Sequence, residues 1–323
     1  MGLVRVLSFL KSHSSEYLSG QDLSDVLKIS RVAVWKHINR IRSLGYKIES
    51  KQKLGYKLVK NTELLLPWEI IDGIKTRKIG RRSYYFDSID STQAFAKTLT
   101  TNPKENGAII IAQKQTSGKG RMKRKWISPP GGIWFSIVLK PEIDVSLITL
   151  FPIAASLALA ISIEKTLKKK PELKWPNDIT LGGKKAAGIL IDLSMESNSI
   201  ENLILGVGIN FKINPRNIEK SIKNTGNYYG VATLVKKNEN SNPIKLVQSF
   251  LFELEKMMDS LEQRKIREII KNWTKKSFTI GKYVKVLTSD GIVQGKALRI
   301  DNDGALVISQ NKKTTRVLVG DVT

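Results

Sequence analysis

The sequence predicts an α+β protein in three parts: an N-terminal winged helix-turn-helix, a central α+β domain on a mixed, largely antiparallel sheet, and a small C-terminal β-barrel. Three observations predict this class. Residues 1–62 show three helical segments and then two short alternating segments. Residues 63–275 show strands in sequential hairpins with few intervening helices, which favours antiparallel pairing over a doubly wound sheet. Residues 276–323 show four or five short strands between turn residues, which is typical of a small closed barrel.

The N-terminal part begins with a helix predicted over about residues 2–13. Ser19 or Gln21-Asp22 starts a second helix, and Ser30 caps a third, which ends at Gly45. The third helix repeats apolar residues at helical spacing, so we expect one face to be buried and its basic residues to lie on or near the other. The apolar positions are Val34, Ile38, Ile41 and Leu44, and the basic ones Arg31, Lys36, Arg40 and Arg42.

The segments YKIES and GYKLV, joined by the basic tip KQKLG, predict a wing after the third helix. In such a unit the third helix enters a DNA major groove and the wing touches phosphates. A small helical adaptor with a solvated charged face is the alternative. The predicted DNA contacts are Ser30, Arg31, Lys36, Arg40, Lys51 and Lys53.

The net charge of the 323 residues is +25. Residues 1–60 hold 12 Lys and Arg against 4 Asp and Glu, or +8, so +17 is spread over the rest. This excess indicates a polyanionic partner such as nucleic acid or nucleotide, or merely a lysine-rich host. The chain has no cysteine, which excludes disulfides, thiolate nucleophiles and cysteine metal sites and fits a reducing cytoplasm.

The central domain follows a predicted linker at residues 61–68. Its predicted strands include SYYFDSI, GAIIIAQKQ, GGIWFSIVLK, ELKW, the hairpin of ITL and KAAGILIDLS around Gly182-Gly183, and ENLILGVGINF. Val145 to Ile163 has 19 residues without a charge, enough to span a bilayer, but its Ser, Thr, Pro and Ala content and mid-chain position favour a buried core helix and no membrane partner. Residues 212–242 are predicted to be irregular, and helices to follow at about 243–274.

The chemistry of the central domain is limited by what it lacks. The only histidines are His13 and His37, both in the N-terminal part. Histidine general bases, Ser-His-Asp triads and histidine metal sites are therefore excluded from residues 63–323. An enzyme built on this domain would work largely by positioning its substrates and stabilising charge.

The segment SGKGRMKRKW, residues 117–126, combines glycines with a dense run of cations. It is not a P-loop, because no Gly-Lys-Ser/Thr follows a first glycine at the required spacing. It is not a dinucleotide-binding fingerprint either, because Lys123 stands where a third glycine is required. Its glycines let backbone N–H groups approach an anion, and Trp126 adds a flat apolar face. A solvated basic hairpin tip is the alternative. The cations that could clamp phosphoryl oxygens are Lys119, Arg121, Lys123, Arg124 and Lys125.

A second polar cluster lies in LKWPNDITLGGKKAAGIL. Lys174, Asn177 and Asp178 gather at the end of an apolar strand, and Lys185 begins a later strand that can point back to the same cleft. Asp178 could hold Mg²⁺ or a ribose, and Lys174 could reach a phosphate. The glycines of GVGIN mark a bulge or the close approach of another group.

The motifs GKGRMKRKW, KWPNDI, KKAAGILID and GVGINF, in this order, resemble those of the biotin–protein ligases, and DSIDSTQ is similar to an upstream motif of that family. The N-terminal SGQDLSDVLKISRVAVWKHI and its wing resemble the DNA-binding domain of the bifunctional ligases that also repress biotin-synthesis genes. The resemblance covers nearly the whole chain. It implies a class II synthetase-like catalytic domain, an SH3-like C-terminal barrel and the activity of a biotin–[acetyl-CoA-carboxylase] ligase.

The resemblance also implies cofactors, partners and site residues. Biotin and MgATP would give biotinyl-5′-adenylate and pyrophosphate, and a lysine of a biotin carboxyl carrier protein would then take the biotin. A homodimer formed through the central sheet would bind the biotin operator as duplex DNA. The implied biotin site comprises Ser91, Thr92, Gln93, Gln115, Lys119, Gly120, Arg121 and Lys185. The implied ATP or adenylate site comprises Arg121, Arg124, Trp126, Asn177, Asp178 and Asn210, with Arg121, Lys174 and Lys185 catalytic and Asp178 a candidate Mg²⁺ ligand.

The sequence departs from the family pattern at three positions. Lys123 replaces a loop glycine, Gln93 stands where Asn is common, and Asp192 stands where Glu is usual. We expect these changes to be tolerated. Two other readings stay open: a lipoate–protein ligase-like adenylating transferase, and a biotin-sensing regulator without turnover.

Overall fold

The computed structural model describes residues 2–196, 199–222, 230–311 and 313–322, without the side chain of Lys123. The chain divides into two compact units between Trp68 and Glu69. The predicted linker at 61–68 is partly wrong, because α4 (Pro67–Ile71) begins inside it. Leu65 and Leu66 are already buried there.

The first unit has the predicted order of helices and wing. It contains α1 (Gly2–Ser12), α2 (Gly20–Leu27), α3 (Arg31–Ser43) and the antiparallel hairpin of β1 (Lys47–Lys51) and β2 (Gly55–Lys60). Ser19 and Asp22 form a capping box at the start of α2, and the Ser30 hydroxyl accepts from the Ala33 amide at 3.2 Å. Gly45 follows α3 with φ +84°, a left-handed conformation that favours glycine.

The core of this unit is formed by the apolar face of α3 against α1 and α2. Val34, Ile38 and Ile41 are buried as predicted, whereas Leu44 is only half-buried. Arg31, Lys36 and Arg40 are exposed. The packing therefore leaves these three basic side chains of α3 in solvent.

A seven-stranded sheet organises the second unit. Its order is β3-β4-β5-β9-β8-β7-β6; β3 pairs with β4 in parallel and every other neighbouring pair is antiparallel. The predicted mixed, largely antiparallel sheet is confirmed. The strands are β3 (Ser83–Phe86), β4 (Ile109–Ala112), β5 (Ile133–Leu139), β6 (Glu172–Lys174), β7 (Asp178–Leu181), β8 (Lys184–Glu196) and β9 (Ser199–Ile209).

The long apolar segment is a core helix. Val145–Leu150 forms a 3₁₀ turn and Phe151–Leu167 forms α6, with Pro152 in its first turn. Val145–Leu167 is long and apolar enough to cross a membrane, yet 72% of its most apolar window is buried inside the protein. It packs against α8 (Pro243–Glu262) and α9 (Ile266–Lys275), where Trp273 Nε1 donates to Ser156 Oγ at 3.1 Å. Its apolar character is explained by this packing.

Two further helices complete the unit. α5 (Thr92–Leu99) begins at Ser91, whose hydroxyl accepts from the Ala94 amide. The prediction that residues 212–242 are irregular is partly wrong, because α7 (Pro215–Ile222) lies there. α7 is short and mostly polar, and its apolar side buries only Ile218, so its sequence signal is weak.

The C-terminal strands form one antiparallel sheet in the order β13-β12-β11-β10-β14. Among the strands described, no ladder joins β13 to β14, so the sheet is open at that seam rather than fully closed as predicted. The strands are β10 (Tyr283–Thr288), β11 (Gly291–Ile300), β12 (Leu306–Gln310), β13 (Lys313–Val317) and β14 (Asp321–Val322).

Candidate active site

One cavity of about 400 Å³ lies against the face of the seven-stranded sheet, between residues 117–126, the β6–β7 turn and β14. Its volume is in the range of small-molecule sites. Every residue that the family resemblance assigned to catalysis, biotin or nucleotide lines it: Ser91, Thr92, Gln93, Gln115, Lys119, Gly120, Arg121, Arg124, Trp126, Lys174, Asn177, Asp178, Lys185 and Asn210. The structure thus brings these residues together, and their individual roles remain predictions.

One end of the cavity is a buried network of amides and hydroxyls. Thr92 donates to Gln115 Oε1 from its amide at 2.8 Å and from its hydroxyl at 3.1 Å. Its hydroxyl also lies 2.8 Å from Ser136 Oγ, which donates to Gln93 Oε1 at 2.9 Å. Gln93 Nε2 in turn donates to the Ile204 carbonyl at 3.1 Å. We call this the amide end; it is a prearranged set of donors and acceptors with no net charge.

The glycines of GVGIN make room for two side chains. A Cβ at Gly206 would lie 2.6 Å from Gln93 Oε1, and a Cβ at Gly208 would lie 2.5 Å from ring atoms of Trp126. Gly188 on the neighbouring strand also faces Trp126, with 3.2 Å to its ring. The expected close approach of another group is therefore observed. These glycines let the longer Gln93 and the indole rest directly on the sheet.

The basic loop folds back on itself. The Gly120 amide donates to the Arg124 carbonyl at 2.7 Å, and the Trp126 amide to the Gly118 carbonyl at 2.8 Å. Gly118 has to be glycine here, because a Cβ would lie 2.5 Å from the Trp126 carbonyl oxygen. The fold-back turns Trp126 inward and leaves Lys119 and Arg124 exposed at the mouth of the cavity.

The two loop arginines are bound to other elements of the unit. Arg121 Nη1 donates to Asn177 Oδ1 at 3.1 Å and lies 3.1 Å from Asp321 Oδ1, while Nη2 donates to the Gly320 carbonyl at 3.2 Å. Arg124 Nη2 pairs with Asp321 Oδ2. Arg121 therefore links the loop, the β6–β7 turn and β14.

Two lysines complete the opposite end of the cavity, which we call the cationic end. Lys185 Nζ lies 2.7 Å from Asp178 Oδ1 and 5.1 Å above the centre of the Trp126 ring. Burial lowers the pKa of the Lys174 ammonium from 10.5 to about 8; Asp178 and Asp321 act to raise it and Lys185 to lower it. Lys174 thus loses its charge at a lower pH than an ordinary lysine does.

Metal-binding groups are sparse in the cavity. Within the described residues, there is no group of three His, Cys, Asp or Glu side chains that could hold an ion. The carboxylates that line the cavity are Asp178 and Asp321. Of the two, Asp178 is the predicted Mg²⁺ ligand, and it is paired with Lys185.

The predicted DNA contacts all belong to α3, its cap and the wing of the first unit. Arg31, Lys51 and Lys53 line a groove between α3 and the wing, and Lys36 and Arg40 are exposed on α3. Ser30 is the helix cap described above. Arg42, expected near the exposed side, instead donates to the Ile48 carbonyl at 3.0 Å and to Ser50 Oγ. It braces the wing through Nε and Nη2, which both donate within the protein.

Three comparisons with known proteins point to the same protein family. Residues 85–210 match the Biotin/lipoate A/B protein ligase family, residues 4–57 an HTH domain, and residues 279–323 the Biotin protein ligase C terminal domain. The chain is 32% identical over 318 residues to the Bifunctional ligase/repressor BirA of Bacillus subtilis, covering 98% of this chain and 97% of that relative. The chain belongs to the family of bifunctional ligase/repressors. The predicted recognition is confirmed.

A more distant member of the bifunctional ligase/repressor family and a solved biotin protein ligase structure are also similar to this chain. The Bifunctional ligase/repressor BirA of Escherichia coli is 29% identical over 303 residues, covering 92% of this chain and 90% of that relative. The structure titled "Biotin protein ligase from Aquifex aeolicus in complex with biotin and ATP" is 26% identical with a TM-score of 0.63, covering 75% of this chain and 98% of that one.

The cavity and the groove of the first unit also contain residues that the sequence did not single out. Ser136, which joins Thr92 to Gln93, is the polar residue in the otherwise apolar strand β5, and that contrast was an available signal. Asp321 had no such signal, because nothing in VGDVT shows that β14 lies beside a loop about 200 residues away in sequence. Val32 and Trp35, 63% and 55% exposed beside the basic groove, were also missed.

The departures from the family pattern fall in different places. Gln93 is buried with both polar atoms of its side chain hydrogen-bonded, so the amide end is built around the longer side chain. Asp192 is exposed on β8 and does not line the cavity. The side chain of Lys123 lies outside the described part of the chain.

Proposed function

We propose that the chain is a biotin–protein ligase that also acts as a biotin-responsive DNA-binding repressor. It activates biotin with MgATP to biotinyl-5′-adenylate, releases pyrophosphate, and transfers biotin to a lysine of a biotin carboxyl carrier protein. The observation that carries this proposal is one cavity with a neutral amide end and a cationic end, separated by the Trp126 ring on its glycine floor.

The two ends match the two halves of a biotinyl-adenylate. The ureido ring of biotin needs paired donors and acceptors without charge, which the amide end provides through Thr92, Gln93 and Gln115. The phosphates need cations, which the other end provides through Arg121, Arg124, Lys174 and Lys185. Lipoate has no ureido group, so it could not exchange hydrogen bonds with the amide end.

The chemistry needs charge stabilisation more than proton transfer. A carboxylate oxygen of biotin attacks the α-phosphorus of ATP; the new C–O–P linkage forms, the bond to the β-phosphate oxygen breaks, and pyrophosphate leaves. In this proposal Arg121, Lys174 and Lys185 stabilise charge on the phosphoryl oxygens and on the leaving pyrophosphate; their shared place in the lining of the cavity supports this role. In the second step the lysine amine attacks the activated carbonyl, AMP leaves, and the amine loses a proton.

A magnesium ion fits this site only together with the nucleotide. Mg²⁺ is commonly bound by one or two carboxylates plus substrate phosphates, and Asp178 supplies one carboxylate. When bound, the ion would neutralise phosphate charge. Lys185 is the residue that would have to share or release Asp178 at that moment, since their side chains lie 2.7 Å apart.

The proposed repressor activity depends on DNA binding by the first unit. Its basic α3 and wing form a surface suited to the major groove and the adjoining phosphates. We propose a homodimer paired through the central sheet, because a two-fold dimer places two such units on the two half-sites of an operator. A cytoplasmic location follows from these partners, because operator DNA and ATP occur together there.

The proposal is tested with purified full-length chain, biotin and ATP labelled at the α-phosphorus. The expected products are biotinyl-adenylate and pyrophosphate, followed by one biotin on a purified carrier domain. A chain that labels the carrier with lipoate and not with biotin would favour the lipoate alternative. A chain that binds biotin and makes no pyrophosphate would be the non-catalytic regulator.

A further inference from the structure

Asp321 is a carboxylate at the position where the nucleotide needs cations. It lies on β14, whose pairing with β10 fixes the backbone, with Leu287 opposite Asp321 and Val286 opposite Val322. Its side chain is only 13% exposed and reaches both loop arginines. Gly320, beside it, adds a carbonyl oxygen that accepts from Arg121. The C-terminal sheet therefore contributes an anionic group to the cavity.

The donors that Asp321 uses are the ones a phosphate would use. A guanidinium binds carboxylate and phosphate with the same fork of N–H groups. Both Nη atoms of Arg121 are already engaged, by Asn177, Asp321 and Gly320, and Arg124 Nη2 is engaged by Asp321. A phosphoryl group arriving at these arginines must displace the carboxylate or lie beside a like charge.

We propose that Asp321 is a positioning residue that acts as an internal competitor for the nucleotide phosphates. It holds the two loop arginines over the cavity before ATP binds and yields them to the phosphoryl oxygens when ATP arrives. The inference rests on the proposed function, since it concerns the nucleotide of that reaction. It assigns to the C-terminal sheet a direct influence on the affinity for ATP.

Whether Asp321→Asn raises or lowers the affinity for ATP distinguishes a competitor of the phosphates from a residue that only holds the arginines in place. Removing the carboxylate frees donors and removes a like charge beside the phosphates, so Asp321→Asn should bind the triphosphate more tightly, by about tenfold. If Asp321 only held the arginines in place for the ligand, the same variant would bind more weakly. Asp321→Glu keeps the charge and is expected to retain the affinity of the unchanged protein.

The control is another acidic residue of the same sheet. Asp303 pairs with Arg316 at 2.5 Å on the exposed side, and neither residue lines the cavity. Asp303→Asn therefore removes one ion pair and one negative charge of the C-terminal sheet without changing the loop arginines. It reports any general effect of net charge or of a weakened sheet.

The experiment measures binding of α,β-methylene ATP by calorimetry with the full-length chain saturated with biotin, because this analogue cannot release pyrophosphate. We expect about tenfold tighter binding for Asp321→Asn, little change for Asp321→Glu and Asp303→Asn, and a gain that shrinks at high salt. In turnover, the KM for ATP should fall while the KM for biotin stays constant. Asp321→Ser serves the same comparison if the Asn variant is unstable.

Unchanged or weaker binding by Asp321→Asn overturns the inference, as does an equal gain for Asp303→Asn. Failure of the proposed function would be seen separately. In that case the unchanged protein itself would form no pyrophosphate from biotin and ATP, whatever Asp321→Asn does to binding of the analogue.

Discussion

Gly208→Ala tests whether the indole of Trp126 is a wall of the cavity. A Cβ at this position would lie 2.5 Å from Cε2 and Nε1 of the ring, closer than carbon atoms pack. Overpacking of this kind costs about 1–3 kcal/mol. The strand is held between two neighbours of the sheet, whereas the ring is half-buried at the edge of the loop, so the ring is the part that moves.

A displaced ring enters the space of the ligand, so the cost appears mainly as lost affinity. A penalty of about 1–3 kcal/mol corresponds to about 5-fold to about 150-fold weaker binding of α,β-methylene ATP with biotin, measured by calorimetry. The melting temperature should change little. Gly20→Ala is the matched control, because its nearest neighbour would be an atom of Tyr56 at 3.8 Å.

The double variant Gly208→Ala with Trp126→Phe gives a second check. The smaller ring leaves space for the added methyl group, so the two substitutions should be far from additive in binding free energy. Additive losses, or a Gly208→Ala variant that binds as well as Gly20→Ala, would show that the ring does not rest on this glycine.

Four other outcomes are expected. Ser136→Ala should raise the KM for biotin by about 5-fold to about 150-fold, because it leaves two buried partners short of a hydrogen bond worth about 1–3 kcal/mol; the KM for ATP should stay constant. Activity should fall as the pH passes about 8, where the lowered pKa of Lys174 lets its charge be lost, and Lys174→Arg should remove that step. Arg42→Ala should destabilise the wing and lower the melting temperature, because its hydrogen bond to the Ile48 carbonyl is lost. Lys36→Ala, at an exposed position, should leave the melting temperature unchanged and reduce the salt slope of DNA binding by about 0.9. Arg121→Gly should release adenylate faster, measured as labelled adenylate lost through a desalting column; retention equal to that of the unchanged protein would contradict the role of this arginine.

The sequence predicted those parts of the molecule that depend on local chemistry. The caps at Ser19 and Ser30 and the glycine stop at Gly45 follow from backbone requirements within a few residues. The alternation and apolar runs of the sheet strands reflect burial on its faces. The motif-bearing segments converge on one cavity because their strands are neighbours in the sheet, an arrangement that the family resemblance implied.

What the sequence did not predict depends on contacts between distant segments. Asp321 meets the loop arginines only because β14 pairs with β10, and neither strand carries a motif. In the sequence Arg42 cannot be distinguished from the other basic residues of α3. In the structure its guanidinium donates to the Ile48 carbonyl of the wing. The glycine spacing in GVGIN predicted only that some group approaches the strand closely. The structure shows that the side chain of Gln93 lies against Gly206 and the ring of Trp126 against Gly208.

The charges of the cationic end explain why acidic residues belong in a site for phosphates. Arg121, Arg124, Lys174 and Lys185 are four cations, and Asp178 and Asp321 are two anions, so these six side chains sum to +2. Four cations alone in a partly buried cleft would repel one another and spread apart before any ligand arrived. The ion pairs with Asp178 and Asp321 fix their positions instead, which is the condition for stabilising a transition state without reorganisation. The affinity for ATP is then set by how easily a phosphate replaces the Asp321 carboxylate at the two loop arginines.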